Sequence, residues 1–347
     1  MSKIAIVTGS CGLVGSESVK FLLKKKFKVI GIDNNFRKKF FGNDGDTTWV
    51  KKELLNLKNY NHKNLDIRNN KIIQKIFSNY NKKIKLIIHS AAQPSHDWAK
   101  KNPILDYEIN STATLNLLNF TKKYCPNAVF IFTSTNKVYG DNPNKLKLIE
   151  TKKRFKSLDF KKGIDEKMPI DNCVHSFFGA SKTSADIFAQ EYGKNYGLKV
   201  GIFRAGCITG PQHSGAKLHG FLSYLVKQII KNRSYNIIGY NGKQVRDNIH
   251  SEDLVSCFWH FYKKPKNGEV YNIGGGKFSN CSILEALDFI KKKLNIKIKI
   301  KYSKTNRVGD HIWYISNNSK FKKDYPDWKQ KYNVKKILNL LILKHYE

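Results

Sequence analysis

The sequence predicts a doubly wound α/β fold, a parallel sheet covered by helices on both faces. Two observations predict it. Short continuous apolar runs alternate with amphipathic stretches through the first two hundred residues, and the first run opens into a glycine-rich turn at the head of a helix. The length of 347 residues adds a bound, since about 150 residues per domain suggests roughly two domains.

Taken in order, residues 3–7 form a buried strand (IAIV), followed by TGSCGLVGS and a helix to about residue 26. A second strand over 28–32 ends at Asp33, and further strands fall at 85–89, 128–133 and 199–204. Helical stretches lie between them at 71–77, 111–124 and 182–196. Apolar runs without alternation belong to strands buried on both faces, and right-handed crossovers close them into a doubly wound sheet. After about residue 204 the chain turns to Gly- and His-rich loops, short helices and isolated strands. The division expected is therefore a doubly wound domain over 1–203, with some later segments returning to it, and a smaller α/β domain over 204–347. The lysine-rich stretch 145–162 is expected to be a surface loop.

The formal net charge of +36 invites a nucleic-acid or anionic-membrane function. Seven arginines leave 56 of the 63 basic residues as lysines, spread along the whole chain. Specific phosphate and base recognition leans on the guanidinium fork, so the excess is assigned to a solvated surface. No nucleic-acid partner and no membrane association are expected. Trp49, Trp259, Trp313 and Trp328 are too scattered to act as base-stacking platforms. The six cysteines form no CxxC pair, and the histidines between His213 and His219 lack a carboxylate or cysteine set, so no metal site is expected. No apolar run approaches the ~18 residues of a membrane helix, and no leader is visible, so a cytoplasmic location is expected.

Gly9, Gly12 and Gly15 form GxxGxxG between the first strand and first helix. Glycine lets the backbone turn tightly and approach a pyrophosphate, whose charge then meets N–H groups at the helix N-terminus. Leu13 and Val14 open that helix, Val14 packing beneath the ligand. Asp33, with Asn34 beside it, stands where a carboxylate meets the ribose hydroxyls. A carboxylate there repels a 2′-phosphate, which favours NAD over NADP. Further on, the strand at 128–133 runs into STNKVYGD, at the end of the sheet where doubly wound folds place their ligands.

TGSCGLVGS, Asp33, HSAAQPS, STNKVYGD, GASK, VRDNIH and NIGGG together resemble the extended short-chain dehydrogenase/reductase family, the Rossmann-type nucleotide-sugar epimerases and dehydratases. The resemblance covers nearly the whole chain. Within the family, STNKVYGD, GKQVRD and RVGDH look like the branch that acts at C2 of CDP-linked deoxysugars. The resemblance implies that Gly9, Gly12, Gly15, Asp33, Asp66 and Ile67 hold the dinucleotide. Ala91, Ala92 and Gln93 then line the nicotinamide half, and Asn110 positions it. Thr135 binds the hydroxyl that is oxidised, and Lys182 grips the nicotinamide ribose. Ser95, His96, Asn136, Cys207 and Asp310 contact the sugar nucleotide, and Arg246 and Arg307 clamp its diphosphate. A homo-oligomer is implied as well.

Phe178 departs from the pattern, because the family places a tyrosine four residues before the lysine. A phenolate takes the hydroxyl proton as hydride leaves; phenylalanine cannot. The YxxxK matches at Tyr262, Tyr325 and Tyr332 follow no suitable strand. Two expectations remain. Another group serves as base, His175 first and His96 or Cys207 behind it, or the protein binds NAD and a sugar nucleotide without redox turnover. The dehydratases carry an Asp-Glu pair where this chain has Asn136-Lys137, so epimerisation is expected over dehydration.

Overall fold

The apolar runs form β1 (Ile4–Thr8), β2 (Lys28–Ile32), β3 (Tyr60–Lys63), β4 (Ile84–His89), β5 (Val129–Thr135), β6 (Lys199–Ala205) and β7 (Glu269–Ile273) in a computed structural model that describes residues 3–216, 220–303 and 309–346. They make one sheet of order β7-β6-β5-β4-β1-β2-β3. β1 pairs in parallel with β2 and β4, β2 with β3, and β4 with β5. Every residue of β1 is buried, as an unalternating run at the sheet centre should be. Helices Asn70–Tyr80 and Ala113–Tyr124 lay Ile73, Phe77, Leu117 and Leu118 against Ile6, Ile87 and Phe130. β3, reading Tyr-Asn-His-Lys, is half exposed at the sheet edge and gives little hydrophobic signal. β7 lies at the opposite edge, where its Tyr271 ring is 5.8 Å from Phe203 of β6. β7 was not among the strands expected from the sequence.

The chain divides into two compact units. The first comprises Met1–Val138, Phe177–Arg204 and Val255–Tyr271, and holds this sheet. The second comprises Tyr139–Ser176, Ala205–Leu254 and Asn272–Glu347. Residues 139–176, expected in the first domain, thus belong to the second unit. In the second unit Val245–His250 pairs with Cys207–Thr209, Asn280–Ser282 and Trp313–Tyr314. Helices Phe221–Ile230, Ile283–Leu294 and Val334–Tyr346 bury Leu225, Leu287, Ile290 and Leu338 in its core. The stretch 145–162 corrects the expectation of a loop. It carries the antiparallel hairpin Leu148–Glu150/Phe155–Ser157, held down by Arg154 on Asn280 (2.7 Å) and Glu285 (3.0 Å).

The lysine excess has a partial structural use. Lys24, Lys122, Lys123 and Lys291 to Lys293 stand in the last turns of their helices, where a cation complements the helix dipole.

Candidate active site

In the first unit, the turn after β1 is a cradle only glycine can build. Gly9 has φ +68°, and a Cβ there would sit 2.7 Å from the Ala91 amide nitrogen. A Cβ on Gly15 would strike the Gly9 carbonyl. Gly12 caps helix Leu13–Lys24 without any side-chain hydrogen bond, so the helix N-terminus is left to an anion. Asp33 accepts the Cys11 amide at 2.9 Å and the Asn35 amide at 2.7 Å, and burial holds its carboxyl above the usual range. Burial and Asp33 together push the Cys11 thiol up to about 12, so a free thiolate is not formed there. A cradle that a Cβ would fill, an open helix N-terminus and a seated carboxylate fit a dinucleotide.

The neighbouring residues are committed to different degrees. Asp66 receives Arg68 in a fork (3.1 and 2.9 Å) and Asn34 at 3.4 Å; burial raises its carboxyl, and the Arg68 fork more than reverses that. Ile67 is buried beside it, and Val14 lies in the first turn of helix Leu13–Lys24. Ala91 and Ala92 are half-buried beyond β4. Gln93 is fully buried, and its amide donates to the Ser95 carbonyl (2.9 Å) and to Asp106 (2.6 Å). Its side chain therefore shapes the loop instead of reaching outward. Asn110 grips the Gln93 backbone twice, accepting its N–H at 2.9 Å and donating to its carbonyl at 3.1 Å. It also donates to Asp106, which accepts Ser181 at 2.5 Å. Asn110 lies in a π-helical turn, Glu108–Thr112, of the kind that recurs at functional sites. Ser95 is buried and caps helix His96–Lys101.

At the end of β5, Thr135 donates to the Asn136 side chain (3.4 Å) and accepts the Lys137 amide (3.2 Å). Helix Ser176–Tyr196 brings Phe178 and Lys182 to the same unit. Lys182 is 4% exposed, donates from Nζ to the Thr133 carbonyl at 2.9 Å, and rests 4.1 Å from the centroid of the Phe132 ring. Burial pulls its ammonium down to about 7, against the opposing pull of Asp186 and Asp106. Behind it Asp186 accepts Ser134 at 2.5 Å and both arms of Arg204, at 3.1 and 2.8 Å. On β4, His89 lies between Thr8 (2.7 Å) and Thr114 (2.8 Å), and burial together with Lys182 lowers it to about 3. Phe178 is buried, its ring 4.9 Å edge-on from that of His96.

In the second unit, Arg246 pairs with Asp310 through Nη2 and donates from Nη1 to the Val245 carbonyl at 2.8 Å. Asp247, next along the strand, is buried and accepts the Gly276 and Ser316 amides at 3.1 and 2.9 Å. A Cβ at Gly206 or Gly274 would collide with its carboxylate, so VRDNIH and NIGGG form one structural lock. Cys207 opens the strand beside Asn248. His175 lies in this unit as well, its Nε2 donating to the Ile170 carbonyl at 2.7 Å with Cys173 Sγ 3.4 Å away. Arg307 and His219 lie outside the described residues.

Sequence reasoning missed Asp106, Ser181, Ser134 and Asp186. Asp186 offered one signal, standing four residues after Lys182 on the same helix. The Asp106 network offered none, since its members are scattered along the chain.

Residues 5–274 match the NAD dependent epimerase/dehydratase family. The chain is 31% identical over 340 residues to CDP-paratose 2-epimerase of Salmonella typhi, covering 95% of each chain. It is 27% identical over 302 residues to UDP-glucuronate 4-epimerase of Thermodesulfobacterium geofontis, covering 86% of this chain and 82% of that one. Among solved structures it is similar to dTDP-glucose 4,6-dehydratase of Bacillus anthracis in complex with NAD. There the TM-score is 0.77 at 25% identity, over 99% of this chain and 97% of the other.

Proposed function

The chain belongs to the NAD-dependent epimerase/dehydratase family, and from that premise we propose that it epimerises a nucleotide sugar, at C2 of a CDP-linked deoxysugar. NAD is the cofactor; when bound, it accepts a hydride from a ring carbon and returns it to the opposite face of the ketone. The glycine turn cradles the pyrophosphate, and Asp33 takes the adenosine ribose. Asn110 fixes the loop of Ala91 to Gln93 by holding the Gln93 backbone from both sides. Thr135 holds the hydroxyl that becomes the ketone. Ser95, His96, Asn136 and Cys207 line the sugar nucleotide, and Arg246 with Arg307 takes its diphosphate. Among the described residues two of the five N–H donors of the Arg246 guanidinium are engaged, by Asp310 and the Val245 carbonyl, and the fork suits phosphate oxygens.

The observation that carries epimerisation over dehydration is Asn136-Lys137 after Thr135. Eliminating water needs a general acid and a general base at the reacting carbons, and the dehydratases this chain resembles carry an Asp-Glu pair at these two positions. Here the first position is a buried amide that accepts from Thr135. The CDP preference is supported by the end-to-end similarity to CDP-paratose 2-epimerase.

Self-association is supported by an apolar hollow lined by Pro103, Ile104, Tyr107, Phe177 and Ala180, with Phe188 also exposed, all within the first unit. We assign the protein to the cytoplasm; among the described residues no helix is long and apolar enough to cross a membrane. Phe178 supports a second reading, a protein that binds NAD and a sugar nucleotide without turnover.

Mass spectrometry of co-purifying ligands, followed by a panel of CDP-, UDP- and GDP-sugars, separates the two. Bound NAD with epimer formed from a CDP-sugar is expected. Bound ligands without product from any sugar would leave only the second reading.

A further inference from the structure

Lys182 is buried, and among the described residues no carboxylate is paired with it. Among the described residues its Nζ has one hydrogen-bond partner, the Thr133 carbonyl, and otherwise lies on the Phe132 ring. The carboxylates in its field are engaged elsewhere. Asp186, one turn along the same helix, holds Arg204, Ser134 and Gln190. Asp106, from helix Pro103–Tyr107, holds Ser181, Gln93 and Asn110. From β4 the neutral His89 ring faces it between two hydroxyls, and from β6 comes Arg204 itself. Desolvation without an ion pair favours the neutral amine, and burial brings the side chain down to about 7. Phe178, where an ionisable group would otherwise stand, presents only carbon.

We propose, on the epimerase reading above, that Lys182 is the proton acceptor of this site, its neutral amine taking the hydroxyl proton of the sugar held at Thr135. The anchoring bond places Nζ at the Thr133 carbonyl, two residues before Thr135 on the same strand. An amine keeps N–H donors in either protonation state, so that anchor persists while the proton comes and goes. In the forward step the O–H bond breaks to Nζ. The C–H electron pair leaves as the hydride that NAD accepts, and the C=O bond forms. In the return step hydride adds to the carbonyl carbon, and the Lys182 ammonium gives its proton back to oxygen. No further oxidant enters. His175 is not required as base, and its Nε2 already donates to the Ile170 carbonyl.

The test begins with the intact, NAD-loaded protein. Competitive acetylation with acetic anhydride from pH 5 to 11, read by mass spectrometry at the Lys182 peptide, gives that amine's own titration. A midpoint within about one unit of 7 is expected; a midpoint near 10, as for an ordinary lysine, overturns the proposal whatever the activity. In turnover assays Lys182→Arg keeps a cation and loses the base, so a fall of at least about a hundredfold with NAD still bound is expected. Lys182→Gly should regain rate with added ethylamine, the gain growing as pH rises towards that amine's pKa. Rescue by the ammonium form, or wild-type turnover in Lys182→Arg, overturns the proton-acceptor role alone. No turnover of any nucleotide sugar by the wild-type protein with NAD bound overturns the epimerase reading and this role with it.

Discussion

Lys182 in the first unit and Arg246 in the second are both buried cations, and their surroundings treat them oppositely. Arg246 has a carboxylate, Asp310, and a backbone carbonyl on its fork. Lys182 has a carbonyl and an aromatic face, while the carboxylates near it serve other donors. A paired guanidinium is a lasting charge with fixed geometry, suited to gripping a diphosphate. An unpaired buried amine is a weak cation, suited to exchanging a proton. Pairing, more than burial, separates the cation that holds from the cation that reacts.

The largest effect should come from exposing what lies behind Lys182. Asp186→Ala would leave Arg204 buried without its carboxylate and should destabilise the protein by about 3–5 kcal/mol in chemical denaturation.

Next comes Lys182→Met, which removes the unpaired amine. Burial lowers the folded-state pKa below that of the unfolded chain, from 10.5 to about 7. Between those values the unfolded state binds the extra proton, so wild-type stability rises with pH across the window, and the burial penalty is full below about pH 7. The methionine variant should therefore be more stable than wild type at pH 6, by up to about 5 kcal/mol, and nearly equal above pH 10. Thermal melts at the two pH values would show it. An unchanged difference would mean the amine is better paired than its contacts indicate.

Arg246→Met carries the comparison to the second unit. Losing charge-assisted bonds worth about 1.5–3 kcal/mol should raise KM for the nucleotide sugar roughly ten- to a hundredfold while leaving bound NAD in place. The smallest effect belongs to Asp310→Asn. Its pair with Arg246 is only partly buried, so stability should fall by about 1 kcal/mol or less, with a modest rise in KM. A loss as large as that of Asp186→Ala would erase the distinction between the two regions.

What could be foreseen from the sequence was local. The glycine turn, Asp33 at the end of β2 and Thr135 at the end of β5 are each marked by residues a few positions apart along the chain. Lys182 was identifiable too, but its setting was not. Asp186 and Arg204 are 18 residues apart, and Gln93, Asp106, Asn110 and Ser181 meet only because the fold closes on them. Periodicity does not report such pairings. The edge strand β7 escaped notice because an edge position does not demand a continuous apolar run. The hairpin within 145–162 was hidden by its lysines, whose side chains can stay solvated while the backbone pairs. The sequence also singled out His175 as a base without access to the Ile170 carbonyl that its ring now meets.

The most direct measurement is proton NMR of a CDP-linked deoxysugar incubated with the NAD-loaded protein in D₂O. The account predicts that the C2 epimer appears with hydrogen retained at C2, because hydride leaves and returns without meeting solvent. Deuterium at C2, loss of water to a dehydrated product, or no change in any CDP-sugar would contradict it.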